Sequence, residues 1–356
     1  MRWPQYQPVW PTGVIRPPGA PLVYLDLNHW IYLAGALLGR PKPGYADLLR
    51  ACRSAKERGA ARFVLSGSLV EEIWAIPNPR QRVELSEVIE MVSGFEYLAP
   101  LSDVMRLEVS AFLNVRTGTL GIDHGSIPLI GNSLLHIFGM VGGLRIHDEE
   151  TGLDITDQLQ ADEPGFEERH RQLERVAERM LIQGPDDEME IQLRAAGGYQ
   201  PEVPRQKLLD NVTIEQAFAD ERLTQRWRKG RLADVLAARH LSLELLDTLT
   251  RELMHRGISV GDVAQSLTDF RELPLAMPSA SVFVAMKGHY HRNATRRWSI
   301  NDLHDIGAMS IAVPYCDVVF TDAEARAALQ ATGQDALLGT FLPRTPGELV
   351  AHLDGL

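Results

Sequence analysis

One stretch near the C-terminal end of this 356-residue chain carries acids on two successive predicted elements. Asp302 and Asp305 are three residues apart, so on a helix both carboxylates lie on one side. Pro314 is expected to end that helix, because it lacks an N–H and its ring clashes with the preceding turn. Residues 317–321 are apolar and mostly β-branched, which predicts a buried strand with Asp322 at its carboxyl end.

Two interpretations of these acids are open. Carboxylates that converge from a helix and a strand end are typical ligands of hard cations such as Mg²⁺ or Mn²⁺. Open α/β sheets also place their sites at the carboxyl ends of strands. Without a metal, Asp302 would favour the helix start through its charge, and Asp322 would cap a helix over 323–329. Matching acids elsewhere in the chain would favour the metal.

An earlier segment repeats the pattern of apolar strand followed by an acid. Residues 22–25 form a short apolar run, which predicts a central strand buried on both faces. Asp26 follows this run directly, and a carboxylate there destabilises the fold unless something pairs with it. Asn28 is the expected cap of the next helix.

A second strand and helix supply a fourth acid. Residues 61–66 predict the strand, and the helix after it carries Glu71 and Glu72 near its start. Glu72 is the preferred candidate because two apolar residues, Ile73 and Trp74, follow it. Such apolar residues pack a helix of this kind against the sheet. An acid in a first turn is also common because it interacts favourably with the helix dipole. The choice between Glu71 and Glu72 stays open.

The composition narrows the class of protein. Hydrophobic residues make up 45% of the chain and charged residues 23%, as in globular proteins. The formal net charge of −11 argues against a nucleic-acid coat protein but permits a local basic groove. The two cysteines, Cys52 and Cys316, have no metal-type spacing and indicate reduced thiols. With no membrane-length apolar run and no signal-peptide pattern, we expect a cytoplasmic protein that does not contact membranes.

The chain divides into four predicted regions. We expect a Pro-rich N-terminal arm at 1–21 and the first half of an α/β core at 22–76. A mainly helical insertion follows at 77–278, and the second half of the core occupies 279–356. The insertion is expected to cover or shape the face that carries the acids.

The most basic and aromatic stretch of the chain lies directly before the acid-bearing helix. Lys and Arg can neutralise phosphates, while Tyr or His can stack on a base. A solvated loop is the alternative, since such loops are also basic. The candidate nucleic-acid-binding residues are Lys287, His289, Tyr290, His291, Arg292, Arg296 and Arg297.

In these motifs the sequence resembles the PIN-domain nucleases, which include the toxin ribonucleases of bacterial toxin–antitoxin pairs. The resemblance covers roughly 22–76 and 299–356. The long separation between Glu72 and Asp305 departs from the compact family pattern. The matching positions are Leu25-Asp26-Leu-Asn28, Glu72-Ile73, Asp305 with Ala312, and Thr321-Asp322.

The resemblance implies an α/β fold in which a PIN-like parallel sheet is flanked by helices, here with a mainly α-helical insertion. It implies a Mg²⁺- or Mn²⁺-dependent phosphodiesterase that acts on RNA. Asn28 and Thr321 would hydrogen-bond to the metal ligands, and Asp302 would either share the metal site or only cap its helix. The acids at the family's catalytic, metal-binding positions are Asp26, Glu72, Asp305 and Asp322.

The leading hypothesis is therefore an endoribonuclease, as a toxin or defence nuclease. An antitoxin-like inhibitor protein would then be expected to reach the acids with Arg or Lys, and a homo-oligomer is compatible with the sequence. The alternatives are a structure-specific or single-strand DNA nuclease and a non-catalytic nucleic-acid-binding or scaffold protein. A Rossmann-like small-molecule enzyme is disfavoured, because no glycine-rich loop follows the first strand.

Overall fold

The computed structural model describes residues 3–140 and 143–356, so the first two residues of the expected arm lie outside it. The strands are short. They are β1 Val14–Ile15, β2 Leu22–Leu25, β3 Arg62–Val64, β4 Tyr97–Leu98, β5 Ile127–Pro128, β6 Ile130–Gly131 and β7 Val318–Phe320.

Helices make up most of the described chain. In the first half they are α1 Leu27–Leu37, α2 Tyr45–Glu57, α3 Gly67–Trp74, α4 Pro79–Val92, α5 Leu101–Thr117, α6 Thr156–Asp162 and α7 Phe166–Gln183. The middle adds α8 Asp187–Ala195, α9 Glu202–Ala217, α10 Gln225–Gly230, α11 Leu232–His240, α12 Leu246–Arg256, α13 Val260–Val263 and α14 Leu267–Leu275. The last are α15 Pro278–Arg292, α16 Ile300–Tyr315, α17 Ala323–Thr332, α18 Gln334–Leu338 and α19 Pro346–Asp354. A 3₁₀ helix spans Leu134–Phe138, and π-helical turns span Phe218–Arg222 and Leu241–Leu245.

A small parallel sheet lies at the centre, with β2 between β3 and β7. Single parallel bridges extend it, from Leu65 to Tyr97 in β4 and from Val318 to Phe341. Across the sheet the order is β4, β3, β2, β7 and the segment at Phe341. Numbered by their position in the chain, these five segments run 3-2-1-4-5, as in doubly wound folds. The winding direction reverses between β2 and β7, and such sheets place their sites at the carboxyl ends of those two strands. The expected mixed α/β class with a parallel sheet is confirmed.

Helices cover both faces of this sheet because the side chains of β2 alternate between two cores. Val23 and Leu25 pack in one core with α1, α2 and α4, whereas Leu22 and Tyr24 pack in the other with α15, α16 and α17. All four residues are 0% exposed. The prediction of a strand buried on both faces is therefore confirmed. Among the described residues, no helix is long and apolar enough to span a membrane.

The expected boundary at residue 77 does not separate the core from an insertion. Helix α4 buries Leu85, Val88 and Ile89 in the same core as α1 and α2. Strand β4 adds to the sheet through the bridge to Leu65. Helix α4 and strand β4 therefore belong to the α/β core, which extends at least to Leu98.

One helix boundary also differs from expectation. Helix α16 continues through Pro314 to Tyr315. Pro314 lacks the N–H that would donate one backbone hydrogen bond. Because Pro314 lies one residue before the end of the helix, the loss of this single bond does not break it. Residues 278–292 form the single helix α15, with Pro278 at its first position, where the missing N–H has no helical partner in any case.

Helix α16 approaches α3 closely at Gly307. A Cβ atom at this position would lie 2.9 Å from Ser68 Oγ, a distance that real Cβ atoms essentially never show. We predict that Gly307→Val lowers the free energy of unfolding by about 1–3 kcal/mol. Urea denaturation measures the effect. Gly347→Val in α19 is the matched control, since a Cβ there meets nothing closer than 3.9 Å. Equal losses in the two variants would show that this helix contact is not tight.

Candidate metal centre

Three of the predicted acids meet at the switch point of the sheet. Asp26, Asp305 and Asp322 each place one carboxylate oxygen within 4.8 Å of the other two. Asp26 follows β2 directly, Asp322 lies just beyond β7, and Asp305 lies in the second turn of α16. Asp26 is 5% exposed, and the other two are half-buried. Two strand ends and one helix therefore build this cluster, which we call the acid cluster.

Helix capping orients two of these acids. Asp26 Oδ1 accepts a hydrogen bond from Leu27 N at 2.8 Å, and Asp322 Oδ1 accepts one from Ala325 N at 2.7 Å. Each carboxylate keeps a second oxygen that these bonds do not use. The capping and metal-binding interpretations are thus compatible for Asp322. The expectation that Asn28 caps α1 is wrong, because Asp26 is the cap and Asn28 lies exposed in the first turn.

Glu72 lies beside the acid cluster but outside the set of three converging oxygens. Burial, then the charges of Asp26 and Glu71, raise the pKa of Glu72 to about 8. The charge of Glu72 also helps to raise the pKa of Asp305, after burial, Asp26 and Asp322. Glu71 instead points to His304, at 4.0 Å, with its side chain 57% exposed. Of the two glutamates, Glu72 is the one near the cluster.

Asp302 has a structural role. Its Oδ2 accepts a hydrogen bond from Ser299 N at 2.8 Å, and Ser299 Oγ accepts one from Asp302 N, which completes a capping box at the start of α16. Its other oxygen pairs with Arg296. Both carboxylate oxygens are therefore engaged, so the metal-ligand alternative for Asp302 is corrected to the capping alternative.

The acid cluster is electrostatically strained. Burial first, and then the neighbouring acids, raise the pKa of Asp26 to about 6 and that of Asp305 to about 8. In the part of the chain that the structure describes, the salt bridges of Arg296 reach Asp302 and Glu324 but none of the three acids. Clustered carboxylate oxygens without a basic partner are the donors that Mg²⁺ and Mn²⁺ prefer. The residues present thus fit a divalent cation.

Within the described part of the chain, two buried polar atoms next to the cluster have no hydrogen-bond partner. They are Thr321 Oγ1 and His29 Nε2, on residues that are 2% and 7% exposed. His29 stacks on Phe320 with ring centroids 3.6 Å apart, and its Nδ1 lies 2.7 Å from the Tyr45 hydroxyl. Burial lowers the pKa of His29 to about 4, which keeps the ring neutral. Thr321 was among the predicted site residues, whereas His29 was not, although His29 follows Asp26 by three positions in the first turn of α1.

The predicted nucleic-acid-binding residues do not form one exposed strip. Tyr290 and His291 are each 1% exposed, so the expectation that they contact bases is corrected: both are core residues of α15. His291 Nε2 lies 2.6 Å from Glu215, and Lys287 Nζ pairs with the same carboxylate at 2.9 Å. The basic residues of α15 therefore hold α9 in place. The sequence contained no signal that Glu215, far away in the chain, would be their partner.

The remaining predicted residues lie nearer to the surface. Arg292 and Arg297 are exposed, and His289 is half-buried. Arg296 is engaged by Asp302 and by Glu324, and its guanidinium lies 3.8 Å from the ring centroid of Tyr290. The exposed cations available to a ligand here are thus Arg292 and Arg297.

Proton competition gives a prediction for the metal. The folded-state pKa values of Asp26, Glu72 and Asp305 are raised, so between about pH 4 and pH 8 the metal-free folded state binds more protons than the unfolded state. These groups therefore destabilise the metal-free fold increasingly as the pH rises. A metal competes with those protons, and we expect the Tm difference between Mn²⁺ and EDTA to grow from pH 5 to pH 8, measured by calorimetry. A constant or shrinking difference would contradict a metal bound by these acids.

Comparisons of the chain with protein-family models, with curated proteins and with solved structures find no match. The site must therefore be interpreted from its own chemistry.

Proposed function

We propose that this protein is a divalent-metal-dependent endoribonuclease. The observation that carries the proposal is the convergence of Asp26, Asp305 and Asp322 within 4.8 Å at the switch point of a parallel sheet. Three buried or half-buried carboxylates without a basic partner form a poor site for an anionic ligand on its own, because they repel its charge. The same three carboxylates form a good site for a cation that recruits an anionic ligand, and a phosphodiester is such a ligand.

In this proposal the three carboxylates hold Mg²⁺ or Mn²⁺. A bound divalent ion supplies the charge that polarises a phosphate and lowers the pKa of a water molecule. The caps on α1 and α17 fix Asp26 and Asp322, so neither acid needs to reorient when a ligand arrives. Thr321 Oγ1 offers an unused buried hydroxyl that can donate to a ligand oxygen at this edge.

Glu72 has a different role in the proposed reaction. With its pKa raised to about 8 in the metal-free protein, its carboxyl group can hold a proton near neutral pH. A group whose pKa lies near the working pH is suited to exchange a proton with water or with a leaving oxygen. We therefore assign proton transfer to Glu72 and metal binding to the three converging acids.

The experiment is cleavage of end-labelled single-stranded RNA and of DNA with the same sequence, in Mn²⁺, Mg²⁺ or EDTA. We expect internal cleavage of RNA that needs the metal and is lost in both Asp26→Asn and Asp322→Asn. Preferential cleavage of DNA would favour the alternative of a DNA nuclease. Metal-independent cleavage, or variants that cleave as fast as the wild type, would overturn the proposal. If nothing is cut and Mn²⁺ does not stabilise the protein, a non-catalytic scaffold is the better account.

A further inference from the structure

An open groove of about 470 Å³ lies between α9, with the π-helical turn after it, and the segment that leads into α16. Ligand sites in proteins typically measure roughly 300–1,000 Å³, so a nucleotide fits this space. We call it the Trp298 groove. The lining residues that matter here are Thr213, Gln216, Asp220, Glu221, Arg297 and Trp298.

The Trp298 groove lies near the acid cluster. Arg296 directly precedes Arg297, which lines the groove. Arg296 pairs with Asp302 in the first turn of α16 and with Glu324 in the first turn of α17. Those two helices carry Asp305 and begin at Asp322. From Ile300, where α16 begins, to Asp305 the rise along the helix is about 7 Å, at 1.5 Å per residue. An RNA strand that follows α16 would cover this rise with one or two nucleotides.

The chemistry of the Trp298 groove matches hydrogen-bond donors better than phosphates. Asp220 and Glu221 contribute carboxylates, and Thr213 contributes a hydroxyl. Carboxylates repel a phosphate but accept hydrogen bonds from base amino groups and from a ribose 2′-OH. Since DNA lacks the 2′-OH, this acceptor-rich surface favours RNA.

Two further residues give the groove an apolar wall and a cation. Trp298 is 6% exposed and contributes part of an indole to the wall. The Arg297 side chain is 80% exposed, and its one salt bridge to a described residue is a 3.4 Å pair with Asp220. It is therefore free to contact a phosphate or to stack on a base.

The α9 wall is supported at one end only. Every residue from 186 to 214 is exposed or half-buried. Support begins at Val212, which packs against the core that contains α15 and α16. It continues at Glu215, which binds His291, Lys287 and Arg239. Gln216 adds a second attachment, because its Oε1 accepts a hydrogen bond from Trp298 N at 2.9 Å.

We propose that the Trp298 groove binds the base and ribose of one nucleotide of single-stranded RNA, one or two positions from the bond held at the acid cluster. The position relative to a cleaved bond rests on the proposed nuclease function. The binding itself does not, and it is tested separately.

The test is fluorescence anisotropy of a labelled single-stranded RNA and of the DNA of the same sequence, in Ca²⁺, with RNA integrity checked on a gel. Thr213→Trp fills the groove from an exposed position, and Arg297→Ala removes its cation. Gln206→Trp places the same side chain at an exposed position of α9 outside the groove and is the control. Loss of one base contact is expected to weaken RNA binding about tenfold in Thr213→Trp. Arg297→Ala is expected to weaken it less, and Gln206→Trp not at all.

Each outcome bears on the proposal. Equal affinities in wild type, Thr213→Trp and Gln206→Trp would overturn it, as would a wild type that binds no RNA. DNA binding as tight as RNA binding, with the same loss in Thr213→Trp, would overturn the assignment to RNA. Groove-dependent RNA binding by a protein that cleaves nothing would leave this proposal standing while the nuclease proposal fails.

Discussion

Asp305→Asn is expected to abolish metal-dependent RNA cleavage and, at the same time, to stabilise the metal-free protein. The amide cannot replace the carboxylate as a cation ligand. Loss of a residue that hydrogen-bonds to a metal ligand already reduces metal affinity or activity about 10–100-fold. Loss of the ligand itself should therefore reduce kcat/KM at least about 100-fold. This kinetic loss is among the largest that the proposed site predicts for a single substitution.

The stabilising effect follows from the pKa of Asp305, which burial and then Asp26, Asp322 and Glu72 raise to about 8. In the unfolded chain this group ionises near pH 4, so the folded state is destabilised progressively as the pH rises from about 4 to about 8. The amide removes that cost. We expect the free energy of unfolding in EDTA to increase by about 1–3 kcal/mol at pH 8 and by less at pH 5.

Asp302→Asn is the matched control on the same helix. Asp302 belongs to the capping box and to the pair with Arg296, so this variant should lose about 1 kcal/mol of stability and keep its response to Mn²⁺. Calorimetry with Mn²⁺ or EDTA separates the two variants. If Asp305→Asn is destabilised in EDTA, or still gains stability from Mn²⁺, the proposed role of Asp305 is wrong.

Glu72→Gln is expected to reduce kcat at least about 100-fold with little change in Mn²⁺ affinity. The physical reason is that Glu72 lies beside the cluster, where its charge affects Asp305, but is not one of the three converging acids. Glu71→Gln changes the adjacent residue, which faces His304, and should leave kcat near the wild-type value.

Single-turnover cleavage of labelled RNA under saturating Mn²⁺ measures both glutamate variants. The pH–rate profile adds a test, because loss of a proton-transfer group should change the slope of the profile and not only its height. A larger loss in Glu71→Gln than in Glu72→Gln would reverse the assignment.

The sequence was most informative where local rules and the fold agree. The run from Leu22 to Leu25 is apolar throughout, and a strand buried on both faces requires that pattern. The acids that follow β2 and β7 were predictable for the same reason, since both come directly after buried strands.

The failures concern contacts between residues far apart in the chain. No local signal shows that Glu215 binds Lys287 and His291, so a basic stretch that helps to hold two helices together resembled a nucleic-acid surface. One end of the sheet was also hard to predict, because β4 has only two residues. Such short pairings depend on the core around them and not on propensity.

The role of Asp302 shows a further limit. Asp302 and Asp305 lie on the same side of α16, as their spacing predicted, yet only Asp305 joins the acid cluster. Ser299 and Arg296 occupy the oxygens of Asp302. Spacing identified the helix face but could not reveal which carboxylate already had partners.

The most direct measurement is a calorimetric titration of the metal-free protein with Mn²⁺, in wild type and in Asp322→Asn. Our account predicts saturable binding by the wild type, with proton release at pH 7 because a metal displaces protons from Asp26 and Asp305. It predicts that this binding and the proton release are lost in Asp322→Asn. Unchanged Mn²⁺ binding in Asp322→Asn, or no binding by the wild type, would contradict a metal centre at the carboxyl ends of β2 and β7.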